Sequence, residues 1–122
     1  MGVDLRLLPV ESDGGDFGFS HSILALDRDR EWFALLLAKQ ETSRTEAWSH
    51  PPKRFFCYTA YMENGEPGYG EKAKDAYGFA LRCLRASDIL ATSRGAATDR
   101  NRAVLSYLAV LPADTRVILD WH

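Results

Sequence analysis

The chain has 122 residues, 46% hydrophobic and 26% charged, a composition that suits one globular domain able to bury a core without disulfide or metal staples. Its 15 Lys and Arg stand against 17 Asp and Glu, for a net charge of -2, which excludes the electrostatic footprint of a nonspecific nucleic-acid or membrane binder.

Apolar runs fall short of the roughly 20 residues that cross a bilayer. Asp4 and Arg6 sit where a signal peptide needs apolar residues, so the sequence predicts a cytoplasmic protein. Cys57 and Cys83 lie in apolar, strand-like surroundings and are too few and too far apart for a metal knuckle or a disulfide scaffold. They are read as reduced structural thiols.

In chain order, Val3, Leu5 and Leu7 alternate with Asp4 and Arg6 as in a half-buried strand, and Pro9 is expected to end it. The run Phe17 to Leu26 reads as a second strand or as a strand that turns helical near Ser20. A helix is predicted over Arg28 to Gln40, with Asp27 as N-cap and Trp32, Phe33, Leu36 and Leu37 on one face. Glu41 to Lys53 reads as a long exposed connection carrying Trp48 and Pro51-Pro52.

Phe55 to Met62 is an aromatic-rich strand, and Asn64-Gly65 after it favours a tight turn. Pro67 restricts any strand directly after that turn to a short or edge position, which makes Phe79 to Ala86 the better partner for the aromatic strand. Ser87 is expected to cap a short helix over Asp88 to Ser93, closed by Gly95. A longer helix starts at Thr98 or Asp99, carries Val104, Tyr107, Leu108 and Leu111 on its inner face, and stops at Pro112. Thr115 to His122 alternates again and should be a strand beside the first one. The expected fold is a single α+β domain, 1–122, with a mixed or antiparallel sheet of about 4–5 strands, two main helices and one short helix.

Residues that core-building does not explain concentrate in the stretch from Gly65 to Gly78. Its pairs Tyr69-Gly70 and Tyr77-Gly78 set stacking faces and hydroxyls in a backbone that can approach a ligand or a partner closely. The competing reading folds both rings back over the core. Arg94, Arg100 and Arg102 gather near the positive end of the last helix, where an anion could bind or where Asp99 could neutralise them. His21 lies between Ser20 and Ser22, but neighbours on an extended chain point to opposite faces, so it activates neither serine. His50 is read as solvated, and His122 joins its imidazole to the chain terminus, where it could close a salt-bridged end or bind a ligand. Neither His-x-x-x-His nor Cys-x-x-Cys occurs, the spacing of Asp13, Asp16, Asp27 and Asp29 is not that of an EF-hand, and no cofactor motif is found.

The opening Gly2-Val3-Asp4-Leu5-Arg6-Leu7-Leu8-Pro9, the middle Gly65-Glu66-Pro67 with Tyr69-Gly70-Glu71 and Tyr77-Gly78, and the ending Asn101-Arg102-Ala103, Leu111-Pro112 and Trp121-His122 resemble a group of small uncharacterised proteins encoded by bacteriophages and prophages. Where that group often has Cys after Pro67, this chain has Gly68. The resemblance carries a context and no activity. It implies an accessory protein, in the host cytoplasm, that binds and inhibits a host protein complex such as a CRISPR or other immune effector. The alternative is a nucleotide-binding or other small-molecule-binding protein, a signal sponge, built from the tyrosines with Arg100 or Arg102; a small hydrolase using His21 or His122 ranks third because no nucleophile and base can be paired.

Overall fold

In the computed structural model, which describes residues 3–11, 17–43, 51–59 and 65–122, the chain runs β1 (Leu5–Pro9), β2 (Phe17–Ser20), β3 (Leu24–Ala25), α1 (Arg30–Ser43), β4 (Arg54–Thr59), β5 (Gly68–Glu71), β6 (Arg82–Arg85), α2 (Ala86–Leu90), α3 (Asp99–Ala109) and β7 (Arg116–Trp121). The architecture is α+β with two longer helices and one short one, as the sequence predicts. The strands, however, form two sheets: an antiparallel sheet of order β3-β1-β7-β6, and a mixed sheet of order β2-β4-β5 with β2 parallel to β4.

The four-stranded sheet is the middle layer, and the alternation along its strands sorts residues between two cores. Leu5, Leu7, Leu84, Val117 and Leu119 pack with α1, α2 and α3 on one side. Leu8, Cys83 and Ile118 meet Phe55 and Cys57 of the smaller sheet on the other. Strand β7 is therefore apolar on both faces, which a period-two pattern alone reads as half-exposed.

Pro9 is the last residue of β1, as the sequence predicts, yet it does not stop the chain from running on beside β7. Leu5 to Pro9 pair with Trp121 to Val117, and the next N–H, of Val10, donates to the Arg116 carbonyl at 2.8 Å. Asp4 and His122 exchange both of their backbone hydrogen bonds, so the bonded pairs fall on even positions of β1 and Pro9 occupies a non-bonded one. Its missing N–H would face the β3 side, where pairing has already stopped at Leu7.

The run from Phe17 is split, with β2 in one sheet and β3 in the other. Strand β4 takes β5 and β2 as partners, not the segment from Phe79, whose strand β6 pairs with β7. Pro67 precedes β5 without interrupting it, and β5 is short and at an edge, as its proline requires. The expected Asn64-Gly65 turn, Trp48 and His50 lie outside the described residues, although Gly65 itself has the positive φ of 78° that such a turn demands.

Helix α1 begins two residues later than predicted, after Asp29. The Asp29 carbonyl accepts the first helical bond from Phe33, while Asp27 has both its backbone groups taken by the Asn101 side chain, at 2.9 and 3.0 Å. Asp29 Oδ2 also accepts from Ala97 N at 2.7 Å, which ties the start of α1 to that of α3, itself capped by Thr98. Leu37, expected inside, is 47% exposed, because α1 rolls Trp32, Phe33 and Leu36 onto the sheet. Helix α2 starts at Ala86, with Asp88 accepting from Arg85 N at 3.3 Å, so Ser87 is not its cap. Gly95 serves a close approach: a Cβ there would sit 3.0 Å from the Trp32 Cα.

At one end of the seam between the sheets Asp120 is fully buried. Its Oδ2 meets Arg6 Nε at 2.6 Å and Lys72 Nζ at 3.4 Å, and its Oδ1 has no hydrogen-bond partner among the described residues. Removing one partner of a buried pair costs more than removing both, since it strands a charge. Arg6→Leu should therefore lose about 3 kcal/mol of stability, read as a lower urea midpoint at unchanged slope. Arg6→Leu with Asp120→Leu should regain most of it; an equal loss in the double variant would show that the charge pairing is not the source.

Candidate functional site

Alternation in the three-stranded sheet decides what its two faces show. Gly18, Ser20, Phe55, Cys57 and Gly70 point inward. Gly18 leaves the room that Pro52 fills, since a Cβ would come within 2.6 Å of the Pro52 Cγ. The outward face then carries Phe17, Phe19, Arg54, Phe56, Tyr58, Tyr69 and Glu71, brought side by side by the pairings Phe17 with Arg54, Phe19 with Phe56, Phe56 with Glu71, and Tyr58 with Tyr69.

These rings form one continuous surface. Phe19 stacks on Phe56 at 5.3 Å between centroids, and Tyr69 stands edge-on to Phe19 at 6.1 Å and to Tyr58 at 6.0 Å. The Arg54 guanidinium lies over the Phe17 and Phe56 rings and reaches Glu71 at 3.2 Å. Phe17, Tyr58 and Tyr69 remain 44%, 43% and 41% exposed.

His21 borders this face. Its Nδ1 hydrogen-bonds the Tyr69 hydroxyl and its Nε2 lies 3.9 Å from a Glu11 oxygen, while Glu11 also accepts from His21 N and Ser22 Oγ. Ser20 Oγ is buried and donates to the Ser22 carbonyl. Neither serine hydroxyl is thus aimed at the imidazole, as adjacency on a strand requires.

Tyr77 belongs to a different place. Asp75 Oδ1 accepts from the N–H groups of Tyr77 and Phe79, and Gly78 takes φ of 87°, so a tight turn presents both rings outward. They rim a cavity of ≈ 690 Å³ on the helix side of the four-stranded sheet, with Phe33 and Leu37 of α1, Arg82 of β6 and Trp121 of β7 among its walls. The two tyrosines are both exposed, yet the fold assigns one to the sheet face and the other to this cavity.

Of the remaining predicted site residues, Arg100 donates from Nε to the Ala25 carbonyl at 2.7 Å. Arg102 bonds the Ala97 carbonyl and Asp99 Oδ1 at 3.1 and 2.7 Å. Both guanidiniums thus hold their own chain together around the start of α3. Gly70 lies opposite Cys57 in the inner face of the small sheet. His122 pairs its backbone with Asp4, and its Nδ1 is 3.3 Å from the Asp120 carbonyl. Arg28 holds the Asp4 carboxyl below the usual range through a hydrogen bond and then through charge, with His122 adding a little. Asp4 in turn raises Arg28, on which Tyr77 also acts weakly.

Sequence reasoning missed most of the aromatic face. The signal was present in Phe17-Gly18-Phe19 and in Arg54-Phe55-Phe56-Cys57-Tyr58, where aromatics occupy both parities of a strand, but pairing was needed to show which parity faces out. Among the described residues no three His, Cys, Asp or Glu side chains converge as a metal site requires, and no helix is long and apolar enough to cross a membrane. No protein-family model, curated protein or solved structure matches the chain.

Burial pushes the Cys83 thiol up to about 12 and raises Cys57 as well, the latter opposed by the charges of Arg6 and Lys72. At pH 8 neither thiol should react with an aromatic disulfide reagent in the native protein, and both should react in denaturant. The linkage has a definite sign: the unfolded chain releases these protons near pH 8.5 while the folded chain keeps them, so the stability they contribute is intact below that pH and falls as pH rises toward 12. Fast native labelling of either cysteine would contradict this.

Proposed function

We propose that the protein works by binding, and that its partner is another protein docked on the outer aromatic face of the three-stranded sheet, as an accessory protein that blocks a host complex would do. The observation that carries this reading is the joined surface of Phe17, Phe19, Phe56, Tyr58 and Tyr69, exposed on a sheet whose other face is already buried. A contiguous patch of large rings has no reason to face water in a monomer, whereas aromatic residues and Arg are enriched at the centres of protein interfaces. Among the described residues β2 and β5 are the edges that flank the patch; the Glu11 N–H donates to the Phe19 carbonyl of β2, and β5 is the edge at which a partner's strand could add.

Charge favours a protein over a nucleic acid here. Arg54, the cation on the face, is already tied to Glu71, and the chain as a whole is at -2. Strand recognition by stacking needs a positive groove along the backbone, which this face does not supply.

Phe19→Glu and Tyr69→Glu place a carboxylate on the outer face without touching the buried one. Each should leave the melting temperature within a few degrees and reduce recovery of a co-purified partner from bacterial lysate by about tenfold or more, the loss of one interface hot spot. Partner recovery equal to wild type in both variants would move the interface elsewhere, and recovery of the bare wild-type protein at low salt would overturn the binding reading.

A further inference from the structure

We infer that the cavity beneath Tyr77 and Phe79 is a binding site for a small organic anion, a molecule with an apolar body the size of one or two rings and a single carboxylate or sulfonate, and that Arg82 grips its charged group. The cavity is separate from the aromatic sheet face and lies on the helix side of the four-stranded sheet. Its volume of ≈ 690 Å³ falls within the range that holds ligands of this size.

Its walls are set in place by interactions of their own. Trp121 is fixed by Nε1 donating to Gln40 Oε1 at 3.0 Å and by edge-on contact with Phe33 at 5.7 Å. Tyr77 and Phe79 are held by the Asp75 turn, and Phe79 is 71% exposed with no ring stacked upon it among the described residues. Leu37 is the outward side chain of α1 that found no place in the core. Such a lining leaves apolar surface wet on every side of one space, and a flat apolar body would cover it.

Arg82 gives the site its sign. Strand alternation sends Cys83 toward the small sheet and Arg82 toward the helix side, beside its ladder partner Leu119, where α1 leaves the sheet uncovered. Among the described residues Arg82 makes no hydrogen bond or ion pair, so a half-buried guanidinium with five donors stands at the wall of an apolar cavity. Two carboxylates also line the space, but neither is idle. Asp75 Oδ1 already accepts two backbone N–H groups, and Glu41 has an interaction of its own. Among the described residues the group that lacks a counterpart is the cation, and a planar oxyanion matches its fork.

The test uses two probes of similar shape, anilinonaphthalene sulfonate and the neutral N-phenylnaphthylamine, titrated by fluorescence, with the Trp121 indole N–H resonance as the reporter of location. The sulfonate should bind more tightly than the neutral compound and shift the Trp121 signal, in wild type and in Tyr69→Glu alike. Arg82→Gln should weaken the sulfonate by roughly tenfold or more, the loss of a charge-assisted hydrogen bond, and leave the neutral probe unchanged. Leu37→Glu should weaken the sulfonate too, by narrowing the space and adding like charge. An unmoved Trp121 resonance, equal affinity for the two probes in wild type, or an Arg82→Gln variant that binds the sulfonate as wild type does would each overturn the assignment. Because Tyr69→Glu tests the sheet face and Arg82→Gln the cavity, failure of one proposal is distinguishable from failure of the other.

Discussion

The whole structure is organised by the need to cover β7 on both faces. This strand pairs with β1 on one edge and β6 on the other, and its side chains Val117 to Asp120 are all buried. One layer of helices covers Val117 and Leu119, and a second, smaller sheet covers Ile118 and Asp120. A two-layer domain of this length would have left one face of the strand in water. The third layer costs the fold an additional surface, the outward side of the small sheet, and that surface is where the aromatic rings stand.

Asp120 shows how tight that requirement is. A carboxylate in the buried run of β7 is tolerated because Arg6 on the neighbouring strand and Lys72 just past β5 reach the same oxygen from the two sheets that meet there. The Lys72 contact thus spans the seam, while the Arg6 contact joins neighbouring strands of one sheet across a sequence separation of 114. Polar groups do the same work between helices: Asn101 satisfies both backbone groups of Asp27 and reaches Asp29, while Trp32 Nε1 bonds Thr92 Oγ1 at 2.8 Å. These bonds are specific in direction where apolar packing is not, so they determine how α1 and α3 are oriented on the sheet.

Two surfaces are left over once both cores are closed. The sheet face is broad and aromatic, the basis of the proposed protein interface, whereas the cavity at the end of α1 is concave and has Arg82, unpaired among the described residues, at its wall, the basis of the proposed anion site. Their separation follows from topology: Tyr69 belongs to the small sheet, and the seven residues after it carry the chain back to the four-stranded one before Tyr77 is reached. Closeness in sequence made the Tyr-Gly pairs look like one loop with one purpose.

Local rules were enough to read the start of α3 at its Thr98 cap, the strand at the chain's end beside the first strand, the α+β class, and the short edge character of the segment after Pro67, because caps, prolines and alternation act over a few residues. They put the end of α3 too late, since it stops at Ala109, before Leu111 and Pro112, and leaves Tyr107 exposed. Exposure of Tyr69 and Tyr77 was one of two readings that local chemistry left open. Tertiary structure alone decided that there are two sheets, that β4 pairs with β5 and not with the segment from Phe79, and that the alternation in β7 separates one core from another. It also decided which aromatics of Phe17–Ser20 and Arg54–Thr59 face outward and that Arg82 stands at a cavity wall. The physical reason is that periodicity states which residues share a face, while only the partner strand, brought from far along the chain, states what that face meets.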